Sequence, residues 1–557
     1  MQEFSVMSLR PQVPPAIPEE TVRIARASFP KGGRYMRLRD ELGAVFEDAR
    51  FAGLFPARGR PAEAPWRLAL VTLFQFAEGL PDRQAAEAVR GRIDWKYALA
   101  LPLADPGFDS TVLSEFRSRL VEGGAEQVLL DAVLTLARER NLLSGGGRQR
   151  TDATHVLAAV RALNRLECVT ETMRHALESL AVAAPDWLPA HAQPDWAERH
   201  GHRATDDRLA KNAARREERA RTVGQDGHAL LAAALDPSAP GWLRQVPAVE
   251  ILRRVWVQQF YLSTQGVQWR TAEHGIPPSS LFLSSPYDTD AHLGRKRTTK
   301  WVGYKVHLTE TCDAGRPHLI THVQTMAAPV ADGEATTPAH TALRDKGLLP
   351  ATHLVDTGYL DAELLVAARR DFGIDLAGPA RADERWQARE GKGFAAADFS
   401  VDWERKEATC LQGAHSASWT PAQDNRGAAV IKVKFSSADC GACRHLADCA
   451  RGTRGRRSLT LRTHEQHIAL VQARRRGTTA EFAVLSAVRA GVEGTISQAV
   501  RGFGLRRSRY VGRAKTHLQH VATAAALNLV RLTEWLGGAD LATTRRSKFR
   551  ALLAEAA

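Results

Sequence analysis

Thr352–Leu365, THLVDTGYLDAELL, runs from a short apolar, β-branched segment directly into an acid, Asp356. Gly358 follows, and a helix-like pattern begins near Asp361. This order reads as a strand that delivers a carboxylate at its tip into a turn, with a helix beyond. Alone it establishes little, because Asp-Thr-Gly also suits an ordinary Asx-type turn. Its meaning depends on whether the chain supplies other carboxylates.

Two others stand out. Asp152 lies in TDATHVLAAV (151–160), a strand-like run that passes into helix-like sequence after the hinge-like GGGRQR (145–150). Glu493 lies in EFAVLSAVRAGVEGTISQAV (481–500), which reads as one helix with an apolar stripe of Leu485, Val488, Val492, Ile496 and Ala499. Glu493 falls beside that stripe, at the rim of a core, with Arg489 one turn before it. Each acid also has a plainer role: a turn or cap for Asp152, a turn for Asp356, an ion pair with Arg489 for Glu493. Together, in the order strand, strand, helix, they suit phosphoryl transfer with two divalent ions about 3.5–4 Å apart. Hard Mg2+ prefers carboxylate oxygens, and clustered carboxylates without a cation repel one another.

The bulk properties fit a polyanionic partner. The chain has 557 residues, 44% of them hydrophobic, and a formal charge of +14. Such a length exceeds one ordinary compact domain, and the basic excess (pI about 9.8) points to nucleic acid. Abundant Ala, Arg, Gly and Leu suit a GC-rich bacterial gene. The start, MQEFSVMSLRPQVPP, has no apolar segment of signal-peptide type, and no apolar run reaches membrane-spanning length. A cytoplasmic, nucleoid-associated protein without a membrane partner is therefore expected. Six cysteines in so long a chain do not make a disulfide scaffold.

Residues 1–35 are Pro- and Arg-rich and expected to be flexible; residues 36–125 read as helical. PWRLALVTLFQFAEGL (65–80) has Pro65 as a helix start and Gly79 as a stop. With PDRQAAEAVRGRIDWKYAL (81–99) and FDSTVLSEFRSRL (108–120) it forms either a helix-turn-helix-like DNA-binding unit, exposing Arg83, Arg90, Arg92, Arg117 and Arg119, or a plain bundle packed on the core. Residues 160–280 read as mostly helical, with a charged stretch at 206–222 taken as a solvated helix face. Strands follow at 285–313, at HLITHVQTM (318–326), at the quoted stretch and at GIDLAGPA (373–380). Residues 385–460 read as irregular and cysteine-bearing, residues from Thr479 as helical, and 541–557 as a tail.

The run of motifs LPDRQAAEAVRGRIDWKYAL, STVLSEFRSRL, TDATHV, SPYDTDAHLGRKRTTKWVGYKVHLTET, HLVDTGYLDAELL, RAGVEGTISQAVRGFGLRRSRYVGRAKTHLQH and AAALNLVRLTEWL resembles the DDE transposases of bacterial insertion sequences. The resemblance covers nearly the whole chain. It implies a mixed α/β fold with a ribonuclease H-like core, spanning 145–384 and 461–540. A large helical insertion (about 160–280) and a cysteine-containing insertion (385–460) would interrupt that core, and a helical N-terminal domain would precede it. It also implies that Asp152, Asp356 and Glu493 are catalytic and hold two Mg2+ or Mn2+ ions. Many relatives carry Tyr-x2-Arg-x3-Glu-x6-Lys around the last acid. Here Arg489 matches the Arg, but Ser486 stands at the Tyr position and Val500 at the Lys position, with Arg501 next to it. Identical end-processing therefore does not follow.

Cys440, Cys443 and Cys449 in CGACRHLADC, with Cys410 upstream, have a spacing that suits a structural Zn2+ site, with free thiols as the alternative. Cys168 and Cys312 lie in apolar surroundings and are expected to be simply buried. RGFGLRRSRYVGRAK (501–515) follows Glu493 closely. Its Arg501, Arg506, Arg507, Arg509, Arg513 and Lys515 are candidate phosphate contacts, and Tyr510 with Phe503 candidates for stacking on a base. Arg295, Lys296, Arg297, Lys300 and Lys305 form a second candidate track, and Arg489 is a further DNA-contact candidate. Asn528 falls on the core stripe of the last helix and needs buried partners there.

The function expected is DNA transposition: binding of terminal inverted repeats in double-stranded DNA, phosphodiester cleavage to expose a 3′-OH, and its transfer to target DNA. Two ends must meet, so at least a homodimer on DNA is expected. The alternatives are a ribonuclease H-like nuclease without strand transfer, and a catalytically inactive zinc-containing DNA-binding regulator.

Overall fold

The computed structural model describes residues 8–59, 61–205, 212–278, 280–425, 427–452, 455–539, 549 and 552. Part of the charged stretch at 206–222 and nearly all of the tail at 541–557 lie outside them, as do residues 1–7.

Helix α1 (Pro65–Glu78) starts on proline and ends on Gly79 in the left-handed region at φ 73°. Nearly all of its side chains are buried, so it is a central helix rather than an amphipathic surface one. Apart from a small cluster of Ala25, Met36 and Tyr97, the N-terminal helices share the core of the rest of the chain. Phe74, Phe116 and Leu129 share one apolar core with Tyr304 and Val306 of the sheet and with Leu518, Val521 and Ala525 of the last helix. Of the arginines expected on the surface here, Arg117 is buried, bound to Asp82 and Gln75. The segment 8–35 expected to be flexible is in part ordered. Glu19–Ser28 is a helix with Glu19 and Glu20 in its first turn and Thr21 and Ala25 buried.

One six-stranded sheet organises the rest. It contains β1 (Arg148–Leu157), β2 (His292–Lys296), β3 (Thr299–Thr311), β4 (Ile320–Ala327), β5 (Thr352–Leu354) and β6 (Asp375–Ala377). β2 and β4 share one edge of β3, and the order continues β3-β1-β5-β6. β4, β3 and β1 are antiparallel neighbours, whereas β5 and β6 run parallel to β1. This mixed sheet is consistent with a ribonuclease H-like core. TDATHVLAAV stays extended to Leu157 instead of passing into a helix, because β3 pairs with it along that length. Helix α2 (Ala362–Phe372) begins where Asp361 accepts from the Glu363 and Leu364 amides.

Between β1 and β2, helices Arg165–Ala183, Ala213–Leu235 and Pro247–Gln259 build a separate core around Val169, Met173, Leu230, Leu252 and Trp256. A Cβ on Gly227 would overlap the Trp256 ring, so the close crossing of two of these helices requires glycine. The cysteine-bearing segment is less irregular than expected. It holds a two-stranded pair (Ser400–Asp402, Glu407–Thr409) and a three-stranded sheet (Ser416–Gln423, Ala429–Phe435, Ser458–Arg462) over a small core of Phe399, Val433, Phe435, Leu459 and Leu461.

The helix expected over 481–500 is two. α3 (Ala480–Ala490) is capped by Thr479, and α4 (Val492–Phe503) starts after a joint at Gly491. α5 (Arg513–Leu536) then packs against both the N-terminal helices and β4. Its buried Asn528 accepts from the Ile320 amide and donates to the Ile320 carbonyl, both at 2.8 Å, so both ends of the amide hold α5 to the sheet. Among the described residues no helix is long and apolar enough to cross a membrane.

Candidate active site

The strand-tip acid is explained first by its backbone. β5 ends at Leu354, and the Val355 amide still bonds to the Ala377 carbonyl. Asp356 then caps a short 3-10 turn, accepting from the Gly358 amide at 2.6 Å. Asp152 sits on the neighbouring strand β1, opposite Leu308 of β3. Burial pushes its carboxyl above the usual range, and the charge of Asp356 adds to that. The Ala153 amide, Arg489 and Lys296 work against the rise. The two strand acids therefore feel each other across adjacent strands.

Arg489 ties in the third acid. Its Nη1 lies 3.3 Å from Asp152 Oδ2 and its Nη2 3.6 Å from Glu493 Oε1. Glu493, in the first turn of α4, is 68% exposed, so it stands at the open rim while the strand acids lie deeper. The guanidinium thus stands between Asp152 and Glu493. Among the described residues no group of three or more His, Cys, Asp or Glu side chains is arranged to hold a metal ion. The donor set nevertheless suits hard cations: acid oxygens on two adjacent strands and a third on a facing helix.

Asp332, Tyr359 and His307 at this place were given no role from the sequence, and Lys305 was given a different one. Asp332 lies beside Asp356: a Cβ on Gly358 would come 3.0 Å from Asp356 Oδ1 and 3.3 Å from Asp332 Oδ2. Lys305 forms an ion pair with Asp332. Behind them Tyr359 and His307 share a 2.7 Å hydrogen bond. Burial and then the charges of Asp332, Asp152 and Asp356 push the Tyr359 hydroxyl well above its ordinary value. Burial lowers His307 to about 4, so a neutral imidazole sits behind the acids. In sequence Asp332 looks like a loop acid before glycine, and only the fold brings it here.

The basic residues divide. Arg295, Lys296, Arg297 and Lys300 are exposed on the β2–β3 hairpin, whose Lys296 is close enough to act on Asp152. Lys305, counted with them from sequence, is instead mostly buried against Asp332, because it lies past the hairpin inside β3. Arg501, Arg507, Arg513 and Lys515 are exposed. Arg506 is anchored to Thr154 of β1 at 2.8 Å, and its carbonyl and the Ser508 amide bond to Leu157. Arg509 reaches the N-terminal helices, donating to Leu80 O and lying over Phe76. Tyr510 is packed beneath the Arg117 guanidinium and Phe503 is in the core, so neither is free to stack on a base. Both sit where the segment folds back onto α1 and β1, which apolar burial favours over exposure.

Cys410, Cys440, Cys443 and Cys449 line one cavity of about 370 Å³, walled by Phe394, Phe399 and Phe435. Burial and the other three cysteines push the Cys449 thiol up. The Arg457 amide donates to Cys440 Sγ at 3.5 Å. The four thiols share this cavity, but among the described residues no group of three or more such side chains is arranged to hold a metal ion. Cys168 and Cys312 are buried, as expected.

Two family models match the chain. Residues 25–119 match a transposase domain family (DUF772), and residues 409–533 match the transposase DDE domain family. The second match contains the four cysteines and Glu493; Asp152 and Asp356 precede it. No curated protein matches the chain.

Proposed function

We propose that this chain, which matches a transposase domain model and a transposase DDE domain model in two separate segments, moves DNA by phosphodiester cleavage and strand transfer. The observation that carries the proposal is the placement of Asp356 at a strand tip beside Asp152, with Arg489 linking that pair to Glu493. Asp152, Asp356 and Glu493 would hold the Mg2+ or Mn2+ ions. Two such ions supply Lewis-acid stabilisation and a lowered pKa for the attacking oxygen.

The chain's own residues do the rest. Asp356 is oriented by the Gly358 amide, and Asp152 by its own Ala153 amide at 2.7 Å. Arg489 offsets the mutual repulsion of the acids while they lack a cation. The exposed Arg295, Lys296, Arg297 and Lys300 on one side, and Arg501, Arg506 and Arg507 on the other, neutralise phosphates of the terminal repeat and target. Arg513 and Lys515 extend that second track. Cys410, Cys440, Cys443 and Cys449 would hold a structural Zn2+ beside the small core of their segment. Two DNA ends must be joined, so the active form is a dimer or larger on DNA.

The test is incubation of the purified protein with labelled terminal-repeat DNA and a target plasmid, with and without Mg2+. A transposase yields metal-dependent 3′-OH ends and joined product. Cleavage without joining would leave a nuclease, and site-specific binding without cleavage would leave a regulator.

A further inference from the structure

Arg150 lies two residues before Asp152 on β1, and Thr495 two residues after Glu493 on α4. Residues i and i+2 of a strand share a face, so Arg150 and Asp152 point to the same side of the sheet. Arg150 is directly opposite Glu310 of β3. Its Nε and Nη2 donate to Glu310 Oε1 at 2.8 and 2.7 Å. Glu310 Oε2 accepts from Thr495 Oγ1 at 2.6 Å and from Arg531 Nη1 at 3.0 Å. Arg531, on α5, also donates to Thr495 Oγ1 at 2.6 Å and to His318 O at 2.7 Å. The Glu310 side chain has no exposed surface. Burial alone would raise its carboxyl; Arg531, Arg150 and the Thr495 hydroxyl together bring it below the ordinary range.

The same guanidinium reaches the joint between α3 and α4. Arg150 Nη1 donates to Val488 O in the last turn of α3. A Cβ on Gly491 would lie 2.7 Å from Arg150 Cζ. The φ of Gly491 is an ordinary −61°, so glycine is needed here for space and not for conformation. Four elements therefore meet at one carboxylate: the strand carrying Asp152, its neighbour β3, the helix carrying Glu493, and α5. Desolvation largely offsets the attraction within a buried ion pair, so such a cluster is a weak source of stability. Short, directional, charge-assisted hydrogen bonds fix geometry well.

We infer that Glu310, gripped by Arg150 and Arg531 and bonded to Thr495, is the positioning device that sets where Glu493 stands relative to Asp152. Glu310 and Thr495 are buried, so the action assigned to them runs through α4 and not through contact with DNA. The inference rests on the roles proposed above for Asp152 and Glu493.

The test uses the full chain in four forms: wild type, Thr495→Val, Thr495→Ser and Glu493→Gln. Mn2+ affinity is read from the electron paramagnetic resonance signal of the free ion, and amide hydrogen exchange is followed over residues 488–497. Thr495→Val keeps the bulk and loses the hydroxyl. It is expected to weaken Mn2+ binding about tenfold, the range for a lost outer-shell hydrogen bond, and to speed exchange over 491–497. Thr495→Ser restores both. Wild-type Mn2+ affinity in Thr495→Val, where Glu493→Gln is weakened, overturns the inference. If Glu493→Gln also binds like wild type, the assignment of Glu493 has failed and exchange alone decides. Faster exchange in Thr495→Val that serine restores then supports the positioning role, and unchanged exchange overturns it.

Discussion

Arg489 Nη1 lies 3.3 Å from Asp152 Oδ2, across 337 positions of chain. A helix near the C-terminal end thereby supplies a counter-charge to an acid on the first strand of the sheet. Glu493, one turn further on, shares the same guanidinium. The arrangement makes Arg489 a cation already in place among carboxylates that are proposed to bind others.

Asp152 is held uncomfortably, and removing its charge should show it. Burial raises its folded pKa above that of the unfolded chain. The folded state is therefore penalised at neutral pH, and the penalty vanishes as pH falls through the folded pKa towards the unfolded value, about 4. Asp152→Asn is expected to melt at a higher temperature than wild type at pH 7, with the gap closing near pH 4, while cleavage is lost. Thermal melts across pH measure this; an Asn variant that is less stable at pH 7 contradicts it.

Asp356→Asn should lower cleavage by about 1,000-fold, corresponding to several kcal/mol of lost transition-state stabilisation. Binding of terminal-repeat DNA should persist. Single-turnover cleavage and gel-shift titrations separate the two effects, and equal cleavage by the variant excludes Asp356 from the chemistry.

The hairpin track makes a quantitative claim. Lys296→Ala with Arg297→Ala removes two exposed cations. If both contact phosphates, the slope of log affinity against log salt falls by about 2. An unchanged slope means that the hairpin does not touch the backbone.

Purified protein should carry about one zinc per chain if the four cysteines act together. Cys443→Ser should lose that metal and expose residues 400–462 to proteolysis, leaving the main sheet intact. Stoichiometric labelling of all four thiols in metal-replete protein would show free cysteines instead.

Breaking the buried cluster by Glu310→Ala leaves two guanidiniums without their carboxylate. Loss of a partner from a buried pair costs about 3–5 kcal/mol, so a large fall in the unfolding midpoint in denaturant is expected. A shift corresponding to less than about 1 kcal/mol would place the cluster among the weak, solvent-screened pairs.

The strands around Asp152 and Asp356 were legible in sequence because β-branched and apolar runs ended in turn residues. α1 was legible because proline and glycine bracket it. What escaped depended on partners far away in the chain. TDATHVLAAV looks helical in its later part, but pairing with β3 decides its conformation to Leu157. The helix through Glu493 looked continuous, because nothing local marks a break at Gly491, whose φ is an ordinary −61° and whose missing side chain leaves room for Arg150 of β1. Tyr510 looked like a free stacking group in a basic stretch until Arg117 and the core covered it. Lys305 read as one of a run of exposed cations, and its pairing with Asp332 left no local pattern, since it joins β3 to the turn after β4. In the cysteine segment AVIKVKF (429–435) and SLTLR (458–462) do alternate and were open to reading as strands, whereas the three-residue strands Ser400–Asp402 and Glu407–Thr409 are too brief to show any alternation.

The most direct measurement is the mobility of a marker flanked by the gene's own terminal repeats, in cells expressing wild type or Asp356→Asn at matched levels. Wild type should excise and integrate the marker, and Asp356→Asn should bind the repeats without moving it. Equal mobility with both proteins would contradict the role given to the carboxylate at the strand tip.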